Sequence, residues 1–275
     1  MEKEEIKAFI TMFRRARGID LSSYRENFLF RRLSHRMKLC NLDSLAEYLS
    51  RIKKNDEEFN KFLDTLAINV SQFFRDSEVF DYFRKYCLKD IIGRKESGAS
   101  KTIRIWSAGC AQGQETYSLA IMLKEELVQR KDFFVKIWGT DIDSGILEKA
   151  REAKYDLGSL KEVDKRRLDK YFRPLPGGLF QLDAGIKEMA RFTRCDLFCE
   201  PPLKYVDAIF CRNVMIYFSW KEQDRLFNKF YNTLCSKGYL VIGKVETIRG
   251  DLRNKLLPVA LSHKIFQKNQ EKKIV

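Results

Sequence analysis

The feature that most constrains the fold is a change of hydrophobic period near residue 100. Up to about residue 90, apolar residues recur at three- and four-residue spacing, as in Ile6, Phe9, Ile10 and Phe13, and again in Leu29, Leu33 and Met37; Gly18 is the only glycine or proline there. This spacing puts apolar side chains on one face of successive helices. From Thr102 onward, short β-type runs alternate with helical ones. Thr102 to Ser107 reads as a strand, Glu115 to Arg130 as a helix, Phe134 to Gly139 as a strand, and a helix starts near Gly145. Ala208 to Cys211, a helix from about Lys221 to Cys235, and Tyr239 to Gly243 continue the series. Such alternation requires parallel strands joined by crossover helices, hence an open α/β sheet. Between Tyr171 and Thr193 it breaks around Pro174, Pro176, Gly177 and Gly178, where a small antiparallel β insertion is expected over about 173–194. The expected division is a helical domain over 1–78, a linker and connecting helix over 79–100 ending in the polar stretch Arg94 to Lys101, and the sheet domain over 101–275.

Ligands of open parallel sheets sit beyond the carboxyl ends of the strands. The first strand runs into Ser107-Ala108-Gly109-Cys110-Ala111-Gln112-Gly113-Gln114-Glu115, with a helix following at once. Glycines at such a place, Gly109 first among them, let the backbone approach a ligand and leave helix N-terminal amides free. The loop lacks the G-x-G-x-x-G of dinucleotide binders and the Lys-Ser/Thr of phosphate loops. Glu115 would repel a phosphate but can pair with an ammonium, so a cofactor with an amino-acid moiety fits better. The second strand ends Trp138-Gly139-Thr140-Asp141-Ile142-Asp143. An acid there can accept hydrogen bonds from both ribose hydroxyls, which makes Asp141 a candidate for an adenosine ligand. The competing reading is a helix N-cap, which Asp143 or Ser144 serves equally well.

Three more segments complete a pattern: Asn69-Val70-Ser71-Gln72-Phe73-Phe74-Arg75-Asp76, Asp196-Leu197-Phe198, and the run Cys211-Arg212-Asn213-Val214-Met215-Ile216-Tyr217-Phe218. Together with the glycine loop and Thr140-Asp141-Ile142-Asp143, in this order over nearly the whole chain, they resemble the chemotaxis protein methyltransferase (CheR) family. The resemblance implies a small all-α N-terminal domain before a Rossmann-like class I methyltransferase sheet carrying a small β insertion. It implies methyl transfer from S-adenosylmethionine to glutamate side chains of chemoreceptors, leaving S-adenosylhomocysteine. Positions matching the family's cofactor-binding residues are Asn69, Ser71, Arg75, Glu115, Asp141, Asp196, Leu197, Arg212 and Asn213. Arg75 and Tyr217 match the polar residues that face the transferred methyl. Three departures stand out. Ile68-Asn69-Val70-Ser71 replaces the usual T-N-E-T, Gly113-Gln114-Glu115-Thr116-Tyr117-Ser118 replaces G-E-E-P-Y-S, and Gly243-Lys244-Val245-Glu246-Thr247 replaces G-H-S-E-S.

Charge and composition fit this expectation. A net charge of +14 favours an anionic partner. Between Arg14 and Lys38, eight Arg or Lys residues stand against only Asp20 and Glu26. Arg25, Arg32 and Arg36 share one flank of the Leu29, Leu33 and Met37 stripe and are expected to dock the acidic cytoplasmic helices of membrane chemoreceptors. Arg31 and Lys38, on the other side, read as a solvated face. The seven cysteines form no paired framework, and Cys195 with Cys199 reads as small hydrophobes, with no metal expected. The acidic start, Met1-Glu2-Lys3-Glu4-Glu5, lacks a secretion signal, and no apolar run is long enough to span a membrane; a cytoplasmic monomer is the expectation. A nucleic-acid methyltransferase is the rival enzyme class, but Glu200-Pro201-Pro202-Leu203 has neither the amide nor the aromatic of a D/N-P-P-Y/F motif, so no nucleic-acid partner is expected. The non-enzymatic rival, an adaptor that binds the cofactor without turnover, draws support only from the altered 243–247 segment.

Overall fold

The computed structural model describes residues 3–17, 21–66 and 71–269. Contacts divide the chain into one unit of Met1–Asn69 with Met215–Gln223, and another of Val70–Val214 with Asp224–Val275.

The first unit is built on α1 (Lys3–Arg17), α2 (Glu26–Leu39), α3 (Leu45–Lys54) and α4 (Asp56–Leu66). Their apolar faces meet in one core that includes Ile6, Phe9, Phe13, Leu29, Leu33, Met37, Tyr48, Ile52 and Phe62. Three rings anchor it: Phe9 stacks on Phe13 at 5.4 Å, and Phe62 meets both edge-on at 5.9 and 5.5 Å. Asn55 starts α4 by accepting the Glu58 amide at 2.9 Å, an N-cap bond. The segment Met215–Gln223 belongs to this unit: Tyr24 and Phe218 form an antiparallel bridge, and the Arg25 amide donates to the Tyr217 carbonyl at 2.9 Å.

The expected docking row on α2 is engaged inside this unit. Arg36 donates to both oxygens of Glu58, at 3.0 and 2.6 Å, and the Tyr48 hydroxyl adds a 2.8 Å bond. Burial alone would push the Glu58 carboxyl up, but the bonds from Arg36 and Tyr48 hold it below its ordinary value. Arg25 donates through Nε to the Phe218 carbonyl at 2.9 Å and lies over the Trp220 ring. Arg32 lies over Phe28, with its Nε buried. Arg25 and Arg36 stitch this helix and its N-cap to their neighbours, a use that a helical wheel cannot register because the acceptors come from distant sequence. Arg31 and Lys38 are the exposed cations of α2.

The second unit opens with α5 (Ser77–Tyr82), which continues through a π-helical turn at Phe83–Leu88 into α6 (Lys89–Glu96). Within the expected linker and connecting helix over 79–100, the helical part packs as core: Val79, Phe80, Phe83, Cys87, Leu88, Ile91 and Ile92 are buried with Ile103 and Ile105. The three- and four-residue spacing of those side chains carries the signal, and the polar end at Arg94 to Lys101 obscures it. Then follow β1 (Thr102–Ala108), α7 (Gln114–Glu126), β2 (Phe134–Asp141), α8 (Ser144–Glu152), β3 (Lys154–Asp156), α9 (Lys165–Tyr171), β4 (Phe172–Leu175), β5 (Leu179–Leu182), α10 (Ala184–Lys187), β6 (Ala190–Arg194) and β7 (Val206–Cys211). The chain ends with α11 (Trp220–Thr233), β8 (Leu234–Ile242), α12 (Leu252–Lys255), β9 (Leu256–Ala260) and β10 (Ile265–Lys268).

Seven strands form the main sheet in the order β6-β2-β1-β7-β8-β10-β9. The pairs β6–β2, β2–β1, β1–β7 and β7–β8 are parallel, and β10 is antiparallel to both β8 and β9. Alternation along β1 sends Ile103 and Ile105 into the core shared with α7, while Trp106 meets Phe230 of α11 edge-on at 5.5 Å. The terminal hairpin escapes a pattern reading because Pro258 interrupts β9, which is tolerated only because β9 is an edge strand. The small antiparallel sheet is β3-β5-β4, turning at Gly177 and Gly178, whose φ angles are +80° and +75°. It therefore draws on residues 154–182, and β6, which falls inside the expected insertion, joins the main sheet beside β2.

Removing one partner of the Arg36–Glu58 pair strands a carboxylate that is only 5% exposed. Arg36→Leu is expected to lower stability by about 3 kcal/mol at neutral pH in a denaturant melt. Glu58 sits below its ordinary value in the wild type, so its contribution is present above the unfolded value and lost as pH falls through the lowered one. The deficit of the variant should accordingly shrink in acid, and a variant as stable as wild type at neutral pH would show that the pair does not hold the helices.

Candidate active site

The parallel strands β2, β1 and β7 deliver three turns to one end of the sheet. After β1, the Gly109 and Cys110 amides both donate to the Thr140 carbonyl, at 2.8 and 2.9 Å, which folds the loop against the end of β2. Gly109 and Gly113 have φ of +78° and +86°. A Cβ at Gly109 would come within 2.5 Å of the Val214 side chain, so this glycine serves close packing against the β7 exit as well as ligand approach.

The two acids after β2 separate cleanly. Asp143 caps α8, accepting from the Gly145 and Ile146 amides at 2.8 and 3.2 Å. Asp141 is thereby released from that duty. Its carboxylate is oriented by the Ala111 amide at 3.0 Å and the Asp143 amide at 3.2 Å, one to each oxygen. A carboxylate has about four acceptor positions, so both oxygens keep capacity for a ligand hydroxyl. Burial pushes its pKa up, against the pull of those backbone amides.

Glu115 stands in the first turn of α7, with Oε1 accepting from the Ser107 hydroxyl at 2.8 Å and Oε2 lying 3.7 Å from Arg212. Burial raises it as well, opposed by the charge of Arg212, the Ser107 bond and the charge of Arg75. Arg212 is buried at the end of β7. Its Nη1 donates to the Arg75 carbonyl at 2.9 Å and its Nη2 to Asp76 at 2.5 Å, while Nε is buried without a hydrogen-bond partner. The sequence reading places this residue among the cofactor-binding positions; two of its donors also hold the Arg75 turn. Nε is the guanidinium nitrogen that makes no protein bond, and it can meet a ligand acceptor.

Arg75 itself is half-buried between Phe74 and Asp76, whose φ angles are +52° and +58°. Such conformations cost non-glycine residues of order 1–3 kcal/mol each and persist only where surrounding contacts enforce them. Here the Phe74 amide donates to Ser118 Oγ at 2.8 Å and Asp76 is held by Arg212. Ser71 is half-buried in the same approach, and Asn69 lies outside the described residues. Asn213 also has a positive φ, +61°. A residue missed from sequence explains how that turn is kept: Glu246, 3% exposed, accepts from the Val214 amide at 3.0 Å and the Gly243 amide at 2.5 Å. It is the acid retained within the altered 243–247 segment, and that retention is the signal that could have found it. Asp196 accepts from the Phe198 amide at 2.9 Å in a tight turn, and the Leu197 carbonyl accepts from Lys229 at 2.7 Å, leaving the Leu197 side chain nearly buried.

Tyr217 belongs to the helical unit, where its ring meets Phe28 at 4.8 Å. One expectation shifts, that for Cys195 and Cys199. Cys199 is exposed and Cys195 half-buried, so they are not the buried hydrophobes expected. Among the described residues no group of three His, Cys, Asp or Glu side chains could hold a metal ion, and no helix is long and apolar enough to cross a membrane.

The donor set fits S-adenosylmethionine. Glu115 suits its ammonium, Arg212 Nε its carboxylate, Asp141 its ribose hydroxyls and Leu197 an apolar base. Comparison with known proteins points to the same cofactor. The family profile described as "CheR methyltransferase, SAM binding domain" matches residues 69–265, and "CheR methyltransferase, all-alpha domain" matches residues 4–67. A chemotaxis protein methyltransferase of Borreliella burgdorferi is 36% identical over 254 residues, covering 90% of each chain. The chemotaxis protein methyltransferase of Salmonella typhimurium is 31% identical over 244 residues, covering 86% of this chain and 81% of its own.

Asp141→Ala is expected to weaken S-adenosylmethionine binding by about 1.5–3 kcal/mol in calorimetry; an unchanged affinity would remove the ribose role. Glu115 and Asp141 both sit above their ordinary values, so the folded chain holds their protons more tightly and their ionisation disfavours folding at higher pH. Cofactor binding needs the ionised forms. Affinity should therefore fall as pH drops, beginning above the usual carboxylate range, and Glu115→Gln should flatten that fall.

Proposed function

The chain belongs to the CheR methyltransferase family, and from that premise we propose that it esterifies glutamate carboxylates of chemoreceptors, with Arg75 positioning the acid. It is an S-adenosylmethionine-dependent protein methyltransferase of the chemotaxis type. The observation that carries the finer reading is the convergence of Glu115, Asp141 and the unpartnered Nε of Arg212 beside the Arg75 turn.

Bound S-adenosylmethionine supplies an electrophilic methyl on a sulfonium. A glutamate side chain is ionised at neutral pH, with an unperturbed pKa of about 4.3, so it needs no base to become a nucleophile. What the chain's residues contribute is orientation, which can account for a large part of such a barrier. Glu115 and Asp141 fix the cofactor at two separated points, so that its methyl end is aimed. Arg75 can hold the incoming carboxylate through a charge-assisted bond to one oxygen while the other remains directed at the methyl. Too tight a contact would draw charge from the attacking oxygen, so positioning rather than activation is its role. The strained backbone on either side suits that task, because it fixes where the guanidinium stem leaves the chain. Receptor helices that carry acidic side chains are complementary to the basic chain as a whole. A cytoplasmic site of action follows from such substrates.

Incubation with tritiated cofactor and receptor-containing membranes tests the reading. The wild type should label receptors with counts released by mild base, as methyl esters are. Arg75→Ala should label them at least about tenfold more slowly. Base-stable label, or a variant with wild-type rates, would contradict the assignment.

A further inference from the structure

Asp76 follows Arg75 and stands at the N-cap of α5, yet its side chain makes no capping bond. An aspartate at that position ordinarily accepts an amide of the first helical turn. Here the carboxylate is diverted outward and divided between two cations. Oδ2 accepts from Arg212 Nη2 at 2.5 Å, and Oδ1 lies 2.8 Å from Lys244 Nζ. Lys244 also reaches Glu78 at 2.7 Å. Arg212 closes the loop by donating its Nη1 to the Arg75 carbonyl at 2.9 Å. Arg75 thus leaves a turn whose following residue is gripped from the buried side by one cation and from the exposed side by another.

We infer that Asp76 is a positioning residue for the methyl-transfer reaction, and that Lys244 is the partner that completes its grip. The inference rests on the reading of Arg75 as the residue that orients the substrate acid. Several observations favour it over a surface ion pair of no consequence. Asp76 adopts a left-handed conformation that it does not need for capping, and Phe74 does the same on the other side of Arg75. Backbone strain flanking one half-buried arginine marks a position that the fold maintains against cost. Burial would raise the Asp76 carboxyl, yet the Lys244 bond and the charges of Arg212 and Lys244 keep it below the ordinary value, so it is held ionised. A lysine at this position holds its charge at neutral pH, so the grip on Asp76 persists there. Being half exposed, Lys244 adds little to stability and can act mainly by direction.

The test uses the full chain with receptor membranes, measuring kcat, KM for cofactor, cofactor affinity and melting temperature. Asp76→Asn is the informative variant, because asparagine tolerates a positive φ well and only the charge is removed. It should lose about tenfold in kcat while cofactor affinity stays within about twofold; the melt falls modestly because the ion pair with buried Arg212 is weakened, but the chain stays folded at the assay temperature. Lys244→Met should show a smaller fall of the same kind, and Lys244→Arg should recover most of it. Wild-type kcat in Asp76→Asn, with Arg75→Ala slow in the same assay, overturns the inference and leaves the Arg75 reading intact. Wild-type rates in Arg75→Ala overturn that reading itself. A parallel loss of kcat, cofactor affinity and melting temperature in Asp76→Asn would show a purely structural residue and also overturn the inference.

Discussion

The buried guanidinium of Arg212 is the constraint on which the site depends. It sits where β7 ends, and its donors reach backward in sequence to the Arg75 carbonyl and Asp76 and sideways toward Glu115. A planar, permanently charged fork presents such donors in fixed, diverging directions. Because the neighbouring turn carries two non-glycine residues at positive φ, it needs an external hold, and the guanidinium supplies it. The same charge moderates the cost of burying Glu115. Removing it would therefore disturb the Arg75 turn and Glu115 together.

A second buried group does comparable work on the opposite side of the β7 exit. Glu246 brackets the Val214 and Gly243 amides, and Gly243 leaves no room for a side chain against Asn213. The loop after β7 is thus fixed from below by Arg212 and laterally by Glu246. Departure from the G-H-S-E-S pattern raises doubt about this wall, yet the acid that holds it is kept. Lys244, two residues before it, reaches Asp76 and Glu78 beside Arg75. Chemistry that needs no proton transfer from the enzyme is suited to such an arrangement, in which rigidity rather than acid–base poise is the property maintained.

Much of this was legible in the residues. The change of period near residue 100 separates helices from sheet, and the glycine loop with Asp141 identifies the ligand end, because strand-end loops in parallel sheets are where ligands bind. Long-range pairing was not legible. Arg25, Arg32 and Arg36 fall on one flank of a helical wheel, but Glu58 and the Phe218 carbonyl meet two of them from elsewhere in the chain. Val79 to Ile92 carries a helical apolar pattern, yet only contact with Ile103 and Ile105 shows it to be core. β6 and β9 are short edge strands whose Arg191, Arg194 and Pro258 dilute the usual apolar signal. Roles within the site divide the same way: Asp143 rather than Asp141 caps the helix because its carboxylate takes the Gly145 and Ile146 amides, which sequence spacing leaves open.

The central claim is that the crevice at the ends of β1, β2 and β7 grips a sulfonium-bearing nucleoside through Glu115, Arg212 and Asp141. A crystal structure with S-adenosylhomocysteine tests it most directly. The account predicts the product's carboxylate on Arg212 Nε, its ammonium on Glu115 and its ribose hydroxyls on Asp141. A product lodged elsewhere on the chain, or in the crevice with its ribose turned away from Asp141 and Arg212 Nε still unpaired, would contradict it.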